Sequence, residues 1–311
     1  MRDAHFPVSI KTSAPSLEGV IERKRLLDAL AELQAPAKWL QAPSGTGKST
    51  LAASYARARK KPLVWYRLDE RDNDPAFFYA EFAGAINSQV KVTKQLPKFS
   101  SDDHDRQNTF AQRFAAALSE QPPKATLLVL DDVQSITNES MQQALSALVL
   151  ATAKGHELLF VSQSTPPTAF FDAIAARQLA LLNDADLHFD LAECRAMISA
   201  LRIRGEHGES IAALTGGHAG ALILACELLR GTDPQSAIGV ETVERVHSHL
   251  LTKLVERMPQ ARRELLLQTA FVSQLTRIIA EQLAGSNAAA EIDALVESGL
   301  LRSVGSETND T

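Results

Sequence analysis

The chain has 311 residues, 45% of them hydrophobic and 22% charged, with a formal net charge of −5. That length suggests two or three domains with cores large enough to need no covalent staples. The acidic balance offers no uniformly basic face for nucleic acid, and two cysteines, Cys194 and Cys226, argue against a disulfide framework and for a reducing compartment.

The opening MRDAHFPVSIKTSAPS holds no apolar signal-peptide run, and no stretch approaches the ~20 apolar residues that span a bilayer. The expectation is a cytoplasmic protein with no membrane partner. Short apolar runs predict strands at Lys38–Ala42, Pro62–Leu68, Ala125–Leu130 and Glu157–Val161, with Gln178–Leu182 as a fifth candidate. They are nearly continuous rather than alternating, as strands covered on both faces are. Between them the periodicity predicts helices over Lys48–Arg59, Pro75–Val90, Arg106–Glu120 and Glu139–Ala153, and the polar stretch Thr93–Asp105 reads as a loop. This alternation points to a parallel sheet in an α/β layered domain, placed at residues 1–186. Beyond Asp186 the strand signals stop. Leu191–Leu201, Glu206–Leu214 and Gly220–Leu229 read as short helices broken at Gly205 and at Gly216–Gly217, giving a helical domain at 187–239. After the turn-rich Arg230–Gly239, helices resume from Val240 to Ser298, with breaks at Pro259, around Ser273 and at Gly285. One strand start follows at Leu300–Val304.

The stretch Ala42-Pro43-Ser44-Gly45-Thr46-Gly47-Lys48-Ser49-Thr50 matches the Walker A pattern, with alanine where the first glycine is more usual. Gly45 and Gly47 let the backbone curl so that successive N–H groups point inward, and the helix beginning near Lys48 adds its free N–H groups and dipole. Lys48 is then the catalytic cation for the β- and γ-phosphates, Ser49 offers a hydroxyl to Mg²⁺, and Ser44 through Thr50 are the candidate nucleotide-binding residues. The plain alternative, a Gly/Ser turn that happens to contain a lysine, fits poorly with a buried-strand run before it and a helix former after it. Leu127–Asp132 (LLVLDD) ends an apolar run in two carboxylates. Alone, that reads equally well as a solvated turn or cap. Downstream of a Walker A loop, Asp131 becomes the candidate Mg²⁺-side residue and Asp132 the candidate general base.

These segments together resemble the nucleotide-binding core of STAND NTPases and, within them, the MalT-like, large ATP-binding LuxR-type transcriptional regulators, from about Val20 to Arg302. Ile21–Leu27 resembles the family's Arg-x-x-Leu-Leu segment, which implies that Arg23 lies beside the adenine and ribose. APSGTGKSTLAASYA is similar to its P-loop, and Pro62–Phe78 to its strand with the Trp, Leu-Asp and Asp-Asn-Asp-Pro-x-x-Phe run. LLVLDDVQSI is similar to its Walker B segment, LLFVSQSTPP to its fourth strand, and LTGGHAGALILACELLR to its Gly-Trp-Pro-Ala-Gly helix. The resemblance implies a P-loop NTPase sheet followed by a helical lid and a winged-helix-like α domain at 240–311. It also implies ATP or ADP with Mg²⁺ as cofactors, slow regulatory hydrolysis and self-association in the ATP state. DNA would be reached only through a C-terminal domain absent from this chain, because the chain ends after one strand of a wing, as an excised fragment or a shortened relative. Two departures stand out. Gln163 occupies the place where the family tends to carry a γ-phosphate-sensing arginine, and His218-Ala219 stands in place of Trp-Pro.

Rival readings are a P-loop kinase, a scaffold that holds nucleotide without turnover, and a DNA-handling AAA+-type ATPase. Other features read more plainly. Asp69, Glu70, Asp72 and Asp74 look like caps, with Asp74 before Pro75 as an N-cap. Asp102–Asp105 reads as a solvated loop, His247-Ser248-His249 lacks metal spacing for a helix face, Trp39 and Trp65 read as core, and Arg177 is a weak candidate for a phosphate contact.

Overall fold

The computed structural model describes residues 9–121, 125–149, 152, 155–201, 208–229, 248, 252, 259–269, 276–285 and 288–297. The chain divides into two compact units, Met1–Pro234 and Gln235–Thr311.

The first unit runs α1 (Ser9–Thr12), α2 (Lys24–Glu32), β1 (Ala37–Gln41), α3 (Lys48–Arg59), β2 (Leu63–Arg67), α4 (Pro75–Gln89), α5 (Gln107–Ser119), β3 (Leu127–Asp131), α6 (Glu139–Ala147), β4 (Glu157–Ser162), α7 (Phe171–Ala175), β5 (Leu179–Leu182) and α8 (Asp184–Leu187). Three further helices follow, α9 (Leu191–Ala200), α10 (Gly208–Thr215) and α11 (Ala219–Leu229). The five strands form one parallel sheet in the order β2-β3-β4-β1-β5. Each strand starts and ends within two residues of its expected place.

The continuous apolar runs are explained by two cores, one on each face. Trp39, Tyr66, Leu128, Leu130 and Phe160 join an aromatic cluster with Phe78, Phe82, Phe110, Phe114 and Phe170. Their chain neighbours Leu40, Trp65, Leu127, Val129, Leu159 and Val161 join the second cluster with Leu26, Leu30, Leu51 and Tyr55. Strand periodicity sends successive side chains to opposite faces, so a strand with helices on both sides is apolar at every position. Trp39 and Trp65 are both buried.

Local chemistry sets the helix ends. Asp74 accepts from Phe77 N–H at 2.8 Å with Pro75 at the first helical position, which satisfies an otherwise free donor. α6 ends at Ala147, short of the expected Ala153. The expected loop Thr93–Asp105 contains a 3₁₀ turn, Ser101–Arg106, nucleated by reciprocal bonds between Ser100 and Asp103. Asp103 also pairs with Arg113 at 3.1 Å, and among the described residues no acidic or histidine cluster forms a metal site. In the acidic run after β2, Asp69 and Asp74 are caps and Asp72 completes a capping box by accepting from Asp69 N–H at 2.7 Å; fully buried, Asp72 also meets Lys11 Nζ and the Tyr66 hydroxyl, each at 2.6 Å. At the sheet edge, Gln89 uses its side-chain amide as a strand would. It accepts from Trp65 N–H at 2.9 Å and donates to Trp65 C=O at 3.0 Å.

The amino ends of the strands carry a buried charge cluster. Glu157 pairs with Lys38 at 2.7 Å and Lys61 at 2.9 Å, and accepts from the Tyr55 hydroxyl. Burial alone would raise its pKa, but the bonds from Lys38, Tyr55 and Lys61 hold it down at about 2. Arg177 lies at this edge too, since Gln178 O accepts from Ala37 N–H where β1 begins. That places it across the sheet from the glycine loop, not near phosphate.

In the second unit, α12 (Gln260–Thr269), α13 (Arg277–Ala284) and α14 (Ala288–Glu297) pack around Leu265, Ala280, Ala288 and Leu295. Thr276 caps α13, and Gly285 ends it at φ +76°. The expected strand Leu300–Val304, the breaks at Gly205 and Ser273, His247 and His249 lie outside the described residues. No helix among the described residues is long and apolar enough to cross a membrane.

Candidate functional site

In a parallel sheet all strand carboxyl ends share one edge, and ligands bind there. The glycine loop leaves β1 at this edge, with Ser162 of β4 alongside and the Asp131-Asp132 pair at the end of β3, one strand further on. Gly45 and Gly47 both adopt φ +85°, the left-handed conformation that the inward curl requires. Gly47 caps α3 at its amino end. Within the loop, Pro43 C=O accepts from Thr46 Oγ1 at 3.0 Å and from Lys48 Nζ at 2.7 Å. Burial pulls the Lys48 ammonium down to about 8, against the pull of Asp131, Asp132 and Asp184, which favour its charge. An ammonium so desolvated gains from an anion placed beside it.

Ser49 Oγ donates to Asp131 Oδ1 at 2.9 Å, and Asp132 N–H donates to the same oxygen at 3.1 Å. Asp131 is 2% exposed; burial and then Asp132 push its pKa up. Asp132 is half-exposed and takes left-handed backbone, φ +59°. Both of its oxygens are engaged: Arg67 Nε donates to Oδ2 at 2.7 Å and Gln134 Nε2 to Oδ1 at 2.9 Å. Gln134 Oε1 in turn accepts from Gln163 N–H at 3.0 Å, which ties the ends of β3 and β4 together. A surface cavity of about 530 Å³ opens beside Asp132, lined by Arg67, Asp69, Arg71 and Ser135.

The helices after β5 cover the loop. Gly220 N–H donates to Gly45 C=O at 2.9 Å. Ala219 approaches Gly47 so closely that a β-carbon there would lie 3.9 Å from its methyl group. Arg23, the N-cap of α2, packs against the segment that leads into α9. Its guanidinium stacks 3.9 Å from the Phe189 ring, donates to Glu193 at 2.9 Å and to His188 C=O at 2.9 Å. It therefore joins α2 to the start of α9. Ser44 and Thr50 flank the loop and Gln163 is exposed.

An AAA domain model matches residues 39–165, which spans the glycine loop and both carboxylates. Over that stretch the chain is similar to AAA domains, and its parallel sheet has the P-loop ATPase fold.

Among relatives, the HTH-type transcriptional regulator MalT of Vibrio cholerae is 27% identical over 316 residues, covering 94% of this chain and 34% of its own length. The serine/threonine-protein kinase PknK of Mycobacterium tuberculosis is 24% identical over 279 residues, covering 86% of this chain and 25% of its own. The chain spans about a third or less of the length of these curated relatives. The Walker-type ATPase PABY2304 of Pyrococcus abyssi shares the fold at a TM-score of 0.55 and 16% identity, covering 94% of this chain and 93% of that one.

The donor set at the glycine loop fits a Mg²⁺-nucleotide. Two left-handed glycines shape an anion nest, a buried ammonium lies in it, and a hydroxyl and a carboxylate oxygen sit together as hard ligands for Mg²⁺. The sequence motif leads to Lys48, Ser49, Asp131 and Asp132. Arg67 and Gln134, which hold Asp132, carry no motif signal; only the strand end and the fold bring them there.

Proposed function

We propose that this chain is a nucleotide-dependent signalling switch of the STAND type, the ATPase core of a transcriptional regulator. It binds ATP or ADP with Mg²⁺ between a P-loop domain (1–186) and a helical lid (187–239), with a winged-helix-like module at 240–311. The observation that carries this reading is the Gly220–Gly45 bond, by which the lid covers a loop already linked through Ser49 to Asp131. Lys48 and the loop N–H groups of Ser44 through Thr50 bind the phosphates, and Ser49 with Asp131 would hold Mg²⁺. Bound Mg²⁺ supplies charge neutralisation at the β- and γ-phosphates. Asp132 orients and deprotonates the attacking water. In this reading Arg23 serves the adenine and ribose side of the nucleotide and Gln163 the γ-phosphate side.

Switching needs conformations that differ in affinity for ATP and ADP, because a ligand bound equally by both shifts nothing. ATP-state self-association, cytoplasmic location and DNA contact through a separate domain complete the proposal; the relatives named as HTH-type transcriptional regulators support its regulatory part. Denaturing the purified chain and identifying released nucleotide by chromatography tests it, with Lys48→Ala alongside. Nucleotide released by the wild type alone supports the reading. Equal ATP and ADP affinity in wild type and Lys48→Ala sinks it.

A second reading, a holder of nucleotide without turnover, draws support from Asp132, whose two oxygens are engaged by Arg67 and Gln134, and from the uncharged Gln163. Phosphate release from ATP separates the two.

A further inference from the structure

The turn between α10 and α11 holds one side chain against the P-loop, and that side chain is His218. Gly216 and Gly217 both take left-handed backbone, φ +55° and +79°. Phe189 N–H donates to Gly217 C=O at 2.8 Å, and His218 N–H donates to Thr215 C=O at 2.9 Å. A β-carbon on Gly217 would fall 2.4 Å from Phe189 O, so the strand of backbone entering His218 has one place to lie. Two residues later, Gly220 bonds to Gly45. Between these pins, His218 Cε1 reaches to 3.5 Å from where a β-carbon on Gly45 would sit.

The hydrogen bonding of the ring fixes its proton. His218 Nδ1 accepts from Ala221 N–H at 3.2 Å, capping α11 as an N-cap side chain does. An accepting Nδ1 carries no proton, so the neutral ring carries it on Nε2. Burial lowers the imidazole pKa; Asp184 opposes this, while His188 and Lys48 reinforce it. Those three are the charged or titratable groups that face the ring, from α8, the lid entry and α3. The neutral donor is therefore the form present near pH 7.

We propose that His218 is a nucleotide-contacting residue whose Nε2–H donates to a phosphate oxygen of the nucleoside di- or triphosphate in the P-loop. This rests on the nucleotide-binding reading above and adds the lid's own grip on the phosphate chain. One imidazole then does two jobs: Nδ1 starts α11, and Nε2 ties that helix to the ligand. Phosphate in the loop holds the lid down through a bond that needs no net charge.

Titration calorimetry of ADP on the whole chain tests this in wild type, His218→Ala and His218→Asn, with side-chain ¹H–¹⁵N spectra of the histidines. His218→Ala should bind ADP roughly tenfold more weakly. His218→Asn should lose nearly as much, since its amide oxygen replaces the capping Nδ1 while its nitrogen falls short of the Nε2 position; an asparagine variant that binds like wild type would point to capping alone. The Nε2–H signal that His218→Asn lacks should shift when ADP is added to wild type. A weakened His218→Ala with an unmoved Nε2–H signal would assign the residue to capping alone and overturn the proposal, as would unchanged affinity in both variants. Should His218→Ala fail to fold, the asparagine variant and the wild-type spectrum decide. A wild type that binds no ADP overturns the nucleotide reading itself, and this inference with it.

Discussion

Ser49 Oγ donates to Asp131 Oδ1 at 2.9 Å, between residues 82 positions apart. The bond brings the first turn of α3 to the end of β3, two strands away, and sets a hydroxyl beside a carboxylate whose burial makes its charge costly. A divalent cation would relieve that cost, because it favours the ionised carboxyl. Ser49→Ala should therefore weaken ATP binding about tenfold in Mg²⁺ and leave binding in excess chelator nearly unchanged. Titration calorimetry in both buffers checks it; an equal loss in each would remove Ser49 from the metal side of the site.

Asp132 is tied down by Arg67 and Gln134. As the proposed general base it should matter to turnover and not to binding. Asp132→Ala is expected to lower phosphate release by about 10²-fold, with ATP affinity within about threefold of wild type. A variant that hydrolyses ATP at the wild-type rate would assign the base elsewhere.

Gly216 and Gly217 are adjacent, yet they should tolerate replacement differently. A β-carbon on Gly216 meets nothing within 4 Å, whereas one on Gly217 meets backbone oxygen at 2.4 Å. Gly216→Asn should cost about 1 kcal/mol or less, the left-handed penalty that asparagine largely avoids. Gly217→Asn should cost about 2–4 kcal/mol and loosen the lid. Thermal melts of the two variants, with limited proteolysis after α9, measure the difference; equal melting temperatures would mean that the Phe189 contact is not binding the turn.

Acid should unfold the first unit in two stages. Burial holds the His156 imidazole below its ordinary value, partly offset by backbone groups of Ser119, Thr126 and Gln121. The neutral ring's contribution is intact above an unfolded pKa of 6.5 and is lost as pH falls through the lower folded value. Glu157 has a depressed pKa, so its contribution is complete above 4.5 and is lost as pH falls through about 2. Urea midpoints between pH 8 and pH 3 should fall in those two windows. His156→Phe should flatten the upper one. Glu157→Gln should cost about 3–5 kcal/mol at pH 7, because it strands Lys38, which is 4% exposed.

Much of this fold is legible in the sequence because two-sided burial leaves a strong mark. Val64-Trp65-Tyr66 and Leu127-Leu128-Val129-Leu130 are apolar at every position, and only a strand covered on both faces needs that. The P-loop is legible because its spacing is a backbone requirement, and Lys48–Arg59 is a helix at the expected residues. The contacts that hold the site are less so. Lys11 meets Asp72 across 61 positions, in an acidic run that local spacing reads as caps. Arg67 meets Asp132 across 65 positions with no motif at either end beyond the two carboxylates. Glutamine at 134 looks like any surface polar residue until the fold places it between Asp132 and Gln163. Pairings between distant strands leave no periodic signal, so only the sheet order exposes them.

Gln89 has a consequence for assembly. β2 is an outer strand, and an outer strand's unpaired N–H and C=O groups invite another chain to extend the sheet. At Trp65 both groups are already satisfied by one side-chain amide. An incoming strand would have to displace Gln89 and the helix that carries it, so fibre-like stacking along this edge is blocked at its midpoint. Strand addition at β2 is thereby removed as a route by which copies of this chain could meet, and with it a contact that once formed would be hard to undo.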